Sequence, residues 1–278
     1  MNGNVIVERS LSKINIPIKC FEFDYLPLIF SILVVSVSGG MKIYFAYELL
    51  GIGASLTCIL TAALVTYATY AFDRGVGCKE DEQRSAVFNK LLLISAIIAS
   101  VASFILFASP TVAIPFLIAY LYAKGIGGFR LKGGVGVKNA VVGLTWVALA
   151  FILLGECSLP AVIIYFFLFS KSFINTILYD VKDIENDRVA GIATIPTLLS
   201  TTHLRVVLLG VSAVTHLILC WACICGLLIG TDIIAISAVH STFYILRYSV
   251  NCAFLRNTLV DGEWILFGIY TILRDCCL

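Results

Sequence analysis

Apolar residues in this chain come in long, nearly unbroken runs separated by short polar connections. Neither the strict alternation of a half-buried strand nor the one-sided stripe of a water-facing helix dominates. A bilayer core takes about 20 apolar residues as a helix, and helices inside a bundle can be shorter. Nine runs qualify, at roughly 24–41, 44–72, 91–109, 110–124, 139–156, 159–179, 205–229, 232–252 and 262–274. Only a short Ala-Ser-Pro link divides the third from the fourth, so Pro110 is predicted to start the fourth; the ninth is the shortest. The pattern predicts an all-α, polytopic membrane bundle of nine transmembrane helices, forming one domain over residues 1–278.

The polar connections divide into two unequal sets. Arg9, Lys13 and Lys19 precede the first run, and Arg74, Lys79, Arg84 and Lys90 follow the second. Lys124, Arg130, Lys132 and Lys138 follow the fourth; Lys182, Arg188 and Arg205 follow the sixth; Arg247 and Arg256 border the end of the eighth. The opposite set holds Lys42, placed after the first run, and little else. By the positive-inside rule the rich side is cytoplasmic, with the N-terminus inside and Arg274 outside. The long loops lie on that side too, so function is expected there.

Composition agrees with a membrane protein: 60% of residues are hydrophobic and 13% charged, against about a quarter charged in a soluble domain. A net charge of +2 gives no case for nucleic-acid binding. Of ten cysteines, Cys220, Cys223 and Cys225 form a C-x-x-C-x-C inside an apolar run. Embedded in a span and with no second pair nearby, they read as small apolar residues rather than a metal site. The first 25 residues have no apolar h-region, so no cleavable signal peptide is expected.

Chemistry concentrates where the sixth run ends. Asp180, Asp183 and Asp187 form D-x-x-D-x-x-x-D. On a continuing helix Asp183 and Asp187 share a face, and steps of four carry that stripe back through Tyr179, Asn175 and Lys171. Three carboxylates this close repel one another, which a divalent cation relieves. Hard oxygen donors suit Mg²⁺, which takes one or two carboxylates and fills its shell with water and substrate phosphates. The competing reading is a solvated helix end, since Lys182, Glu185 and Arg188 are interleaved. A lysine and an asparagine within the span favour function.

A second polar exit follows the second run, where Thr66, Tyr70 and Asp73 share a face and Arg74 follows. Aligned with the sixth run, Asp73 matches Asp183, which suggests an internal repeat whose first copy has lost its other carboxylates. The glycine-rich stretch 123–139 supplies Arg130, Lys132 and Lys138, a combination suited to phosphate. Trp146, Tyr165, Phe166 and Phe173 offer ring faces that can stabilise cations. His216 and His240 read as polar contacts between helices.

The segment from Asp180 to Leu199, with its downstream Asp187-Arg188, Gly191 and Thr194-x-Pro196, resembles the second aspartate-rich motif of the UbiA prenyltransferase superfamily. That resemblance implies nine transmembrane helices around a central cavity opening to the cytoplasmic face. It implies Mg²⁺-dependent transfer of an isoprenoid chain from a polyprenyl diphosphate to a membrane-accessible acceptor. The family's first motif, N-D-x-x-D-x-x-x-D, survives here only as Asp73. Carried over, Asp180, Asp183, Asp187 and Asp73 hold the metal; Lys138, Arg130, Lys132 and Arg74 meet the diphosphate; Lys171, Asn175, Tyr179 and Tyr70 line the substrate pocket. Two alternatives stand beside transfer: an intramembrane terpene cyclase of the same architecture, and a non-catalytic protein that binds or transports prenyl lipids.

Overall fold

A chain inside a bilayer must satisfy its backbone N–H and C=O groups internally, and a helix does so within one segment. The computed structural model describes residues 25–76, 85–124, 134–189, 193–248 and 256–277, and these contain helices and no strand. They are α1 (Leu26–Leu50), α2 (Leu56–Val76), α3 (Ala86–Phe107), α4 (Ala113–Ala123), α5 (Val137–Leu154) and α6 (Leu159–Asp180). After these come the short α7 (Ile184–Val189) and α8 (Ile195–Leu198), then α9 (Thr201–Ile224), α10 (Thr231–Arg247) and α11 (Glu263–Cys277). Among the described residues, α1, α2, α3, α5, α6 and α9 are long and apolar enough to cross a bilayer. Pro110 does begin the fourth segment, as a 3₁₀ turn, Pro110–Val112, that runs into α4.

The chain is an integral membrane protein, and its surface shows why. Along α3, Val87, Leu91, Ile94, Ile98, Val101 and Ile105 all point outward. A water-soluble monomer does not carry an apolar face of that length; lipid accepts it.

Helices consecutive in the chain pack side by side, with α3 bypassed. The series α1, α2, α4, α5, α6, α9, α10 and α11 closes when α11 returns to α1, while α3 packs on the outer side of α2. Asp73 at the end of α2 and Asp180 at the end of α6 both act on Tyr122 at the end of α4, so these helix ends lie together at one end, called here the acidic end. At the far end one buried core includes Ile43, Leu49, Val65, Leu149, Phe167, Leu219, Ile234 and Trp264, with Phe116 of α4 packed against it. Toward the acidic end that core forks. One branch holds Ile174, Leu178, Leu204 and Tyr244 on α6, α9 and α10; the other holds Ile32, Ala71, Phe88 and Leu92 on α1, α2 and α3. Of the predicted site residues, Tyr179 packs against the first branch and Tyr70 against the second.

Two sequence expectations need correction. Lys42 was placed in a connection after the first run, but α1 continues through it and stops at Gly51, which takes φ +65° and caps the helix. The charge looked like a helix end; the fold instead houses the ammonium over the Trp146 ring, 3.3 Å from its centroid. Gly39 and Gly40 lie within α1 where it meets α2. A Cβ on Gly39 would come within 2.2 Å of Thr66 Oγ1, and one on Gly40 within 3.0 Å of the Ile59 carbonyl, so both let α1 and α2 approach. Gly39→Ala is expected to cost about 1–3 kcal/mol through overpacking. Gly210→Ala, whose Cβ would meet open space, should be neutral or slightly stabilising through helix propensity. Thermal unfolding in detergent distinguishes the two.

The other correction concerns α6. The sequence reading continued one α-helix to Asp187, whereas α6 ends at Asp180, a 3₁₀ turn covers Val181–Asp183, and α7 starts at Ile184. At three residues per turn, positions i and i+3 eclipse, so Asp183 is drawn over Asp180.

Candidate active site

Asp180 is 2% exposed, and both of its oxygens are held from α5. Lys138 Nζ lies 2.5 Å from Oδ1, and Asn139 Nδ2 donates to Oδ2 at 3.0 Å. Both donors sit in the first turn of α5, whose helix dipole adds a further attraction for an anion. Lys138, expected to serve phosphate, is thus paired with a carboxylate in this structure. Asn139 was not anticipated; a polar residue one step past a basic one, at a helix start, was the available signal.

Asp183 is partly exposed and makes no hydrogen bond or ion pair among the described residues. Asp187, on α7, accepts a hydrogen bond from Thr194 Oγ1 at 3.4 Å. Thr194 is fixed as the capping residue of α8, which explains the Thr-x-Pro that follows the acidic segment. Burial, then the neighbouring carboxyls of Asp183 and Asp180, push Asp187 above the usual carboxylate range; Lys138 and the Thr194 hydroxyl pull the other way. The three acids therefore share one field.

The second exit faces the same space. Tyr122, at the end of α4, lies within electrostatic reach of both Asp73 and Asp180, and of Arg74 and Tyr70. Tyr179 lies within similar reach of Tyr70 and Asp261, and hydrogen-bonds Asp261. The Arg74 guanidinium sits 5.3 Å from the Tyr70 ring centroid. Three tyrosines, 70, 122 and 179, thus bridge the two acidic exits. Tyr122 was not singled out from the sequence because nothing in an apolar run marks which tyrosine turns inward. Arg130 and Lys132 lie outside the described residues.

Deeper in the bundle the predicted stripe ends in a sealed polar cluster. Lys171 is 1% exposed and is ion-paired with Glu263, which opens α11 and is fully buried. Its ammonium also donates to Ser241 Oγ and to Tyr244 OH, and Tyr244 OH donates to Asn175 Oδ1 at 2.9 Å. An intramembrane lysine calls for a counter-ion, and the acid at the head of a short ninth run was the signal for Glu263. The ring faces proposed for a cation are mostly engaged elsewhere. Trp146 carries Lys42, Tyr165 bonds the Glu156 carbonyl at the far end, and Phe166 is exposed on the outer surface. Phe173 packs on Phe169 beside the α6–α9–α10 branch. His216 does join helices, through Ser212 on α9 and Ser237 on α10, and His240 bonds the Leu259 carbonyl.

Among the described residues no three His, Cys, Asp or Glu side chains are gathered closely enough to cage a metal by themselves. The donor set nonetheless fits Mg²⁺: Asp183 is uncommitted, Asp187 is raised by burial and then by its neighbours' charge, and Mg²⁺ completes its shell from water and phosphate rather than from an all-protein cage.

No protein-family model matches the chain, and no curated protein matches it in sequence. Solved structures do match. A UbiA homologue from Archaeoglobus fulgidus bound to Cd²⁺ aligns with a TM-score of 0.56 at 18% identity, covering 88% of this chain and 96% of that one. A structure of a UbiA homologue from the same organism bound to GPP and Mg²⁺ gives the same values. A structure described for digeranylgeranylglyceryl phosphate synthase aligns at 0.54 and 14% identity, covering 89% and 96%. The chain shares the fold of these UbiA-homologue structures.

Proposed function

We propose that this chain is a Mg²⁺-dependent intramembrane prenyltransferase, built as nine transmembrane segments with α4, α10 and α11 as the short ones. Its acidic end faces the cytoplasm. It moves an isoprenoid chain from a polyprenyl diphosphate to an acceptor in the membrane. One observation carries the reading: the carboxylates leaving α6 and the Asp73 exit of α2 act on the same tyrosine-lined space. Solved proteins of this fold bind GPP, or DMAPP, together with Mg²⁺.

Asp183 and Asp187 are the first pair to hold the metal, with Asp180 and Asp73 flanking them. Bound there, Mg²⁺ supplies the positive charge that stabilises a leaving pyrophosphate. Lys138, Arg74, Arg130 and Lys132 neutralise remaining phosphate charge. Asp180 holds Lys138 beside the carboxylates, so an arriving phosphate finds a cation already in place. Tyr70, Tyr122 and Tyr179 present ring faces nearer the carboxylates than Trp146 or Tyr165 do, and so replace them as the lining for an allylic cation. The buried far-end core keeps water away from it.

Product analysis tests the reading. Purified protein with Mg²⁺ and donors of graded length, C5 to C20, is assayed with and without an acceptor panel. Prenylated acceptor with stoichiometric pyrophosphate is expected. Cyclic hydrocarbon without acceptor indicates the cyclase, and donor binding with no pyrophosphate indicates the transport or binding protein.

A further inference from the structure

The stripe on α6 closes step by step as it enters the bundle. Asp183 and Tyr179 are partly exposed, Asn175 is 8% exposed, Lys171 1%, and Phe167 is fully buried. Lys171 cannot bind a substrate, because an ammonium has three donors. All three are spent, on Ser241, Tyr244 and Glu263. Tyr244, having accepted from Lys171, turns its own hydrogen to Asn175 Oδ1. That sequence of bonds fixes the amide: its oxygen faces the relay, and its NH₂ end faces away.

The NH₂ group has no partner among the described residues, yet it is not sealed off. Every other member of the relay is 1% exposed or less, so Asn175 is where the relay meets open space. Asn175 lies five residues inward of Asp180, about 7.5 Å along the helix axis. A prenyl tail has no hydrogen-bond acceptor and would leave this donor unsatisfied, which is costly in a low-dielectric site.

We propose that the Asn175 amide selects the acceptor substrate by donating to an oxygen on it, a phenol, hydroxyl or carbonyl. Lys171, Tyr244 and Glu263 are positioning residues that hold the amide in that orientation. The proposal rests on the prenyl-transfer reading and names the acceptor class that reading leaves open.

The test uses two probes of one shape, 1-naphthol and naphthalene, read by thermal shift of the purified full chain in a single detergent. Wild type is expected to bind 1-naphthol about tenfold better than naphthalene. Asn175→Leu should bind both alike, and Asn175→Gln should recover part of the preference. Tyr244→Phe should bind naphthalene normally and lose the preference, since a free amide can turn over. A purely structural role for Tyr244 would weaken both probes equally. GPP with Mg²⁺ should shift wild type and Asn175→Leu by the same amount. A preference that survives Asn175→Leu, or that wild type lacks, overturns the proposal. If GPP and Mg²⁺ shift no variant while the naphthol preference stands, prenyl transfer fails and acceptor recognition does not.

Discussion

Purified Asp183→Asn protein is expected to lose Mg²⁺-dependent pyrophosphate release by at least about a thousandfold, while staying folded in the membrane. Asp183 makes no hydrogen bond or ion pair among the described residues, so replacing it removes no fold contact. What it offers is a partly exposed oxygen pair beside Asp187. A second readout needs no turnover. A ligand present at a hundredfold over its Kd stabilises the folded state by about 2.7 kcal/mol, so Mg²⁺ with GPP should raise the unfolding temperature of wild type and not of Asp183→Asn. Asp180→Asn should behave differently, because Asp180 is buried under Lys138 and Asn139. It is expected to lower stability even without metal. Undiminished turnover in Asp183→Asn would remove the basis for placing the metal here.

The same site sets a pH dependence. Asp187 titrates above the ordinary carboxylate range. Without metal the folded chain therefore holds a proton that the unfolded chain has already released. That stabilisation is full below the unfolded pKa and is lost as pH rises through the folded one. Mg²⁺ requires the ionised form. The unfolding-temperature gain from Mg²⁺ and GPP is thus expected to grow with pH across that window. A gain that is flat with pH in wild type counts against Asp187 as a ligand.

That the chain is helical and carries several long apolar spans was readable from hydropathy, because lipid imposes a single requirement, about 20 apolar residues in a helix, whatever the neighbours are. The same simplicity hid Lys42, where a charge inside an apolar run passed for a boundary. Only tertiary structure shows the ring that receives it. Glu263 was missed for a related reason: its partner is 92 residues away, and no local pattern joins the two. Spacing picked out the α6 stripe as a set, but spacing does not say which of its members have free hydrogen-bonding groups. Lys171 was read as a substrate contact and proves fully consumed by the fold, while Asn175, two residues below Ile177 on the same helix, keeps a free donor. The 3₁₀ turn at 181–183 had no signature either, since nothing in Val-Lys-Asp forbids an α-helix there.

The buried pair Lys171–Glu263 should produce the largest stability effects in the molecule. Lys171→Met leaves the Glu263 carboxylate with no cation bonded to it, and one of its oxygens already lacks a partner. Breaking a buried pair from one side costs about 3–5 kcal/mol. Glu263→Leu strands the Lys171 ammonium with only the Ser241 and Tyr244 hydroxyls, at a similar cost. Nearby Lys42 adds to the strain of that second variant, since its charge acts on the same groups. The double variant Lys171→Met with Glu263→Leu removes both charges and keeps the volume filled. It is expected to recover most of the loss and to approach wild-type stability, because apolar replacements of buried pairs are often neutral or stabilising. A double-mutant cycle on unfolding temperature in detergent gives the coupling. Additive losses in the double variant would mean that the two side chains do not meet as described. Recovered stability without recovered acceptor preference would instead show what the pair is retained for: it costs desolvation and returns the fixed orientation of Tyr244, and through it of the Asn175 amide.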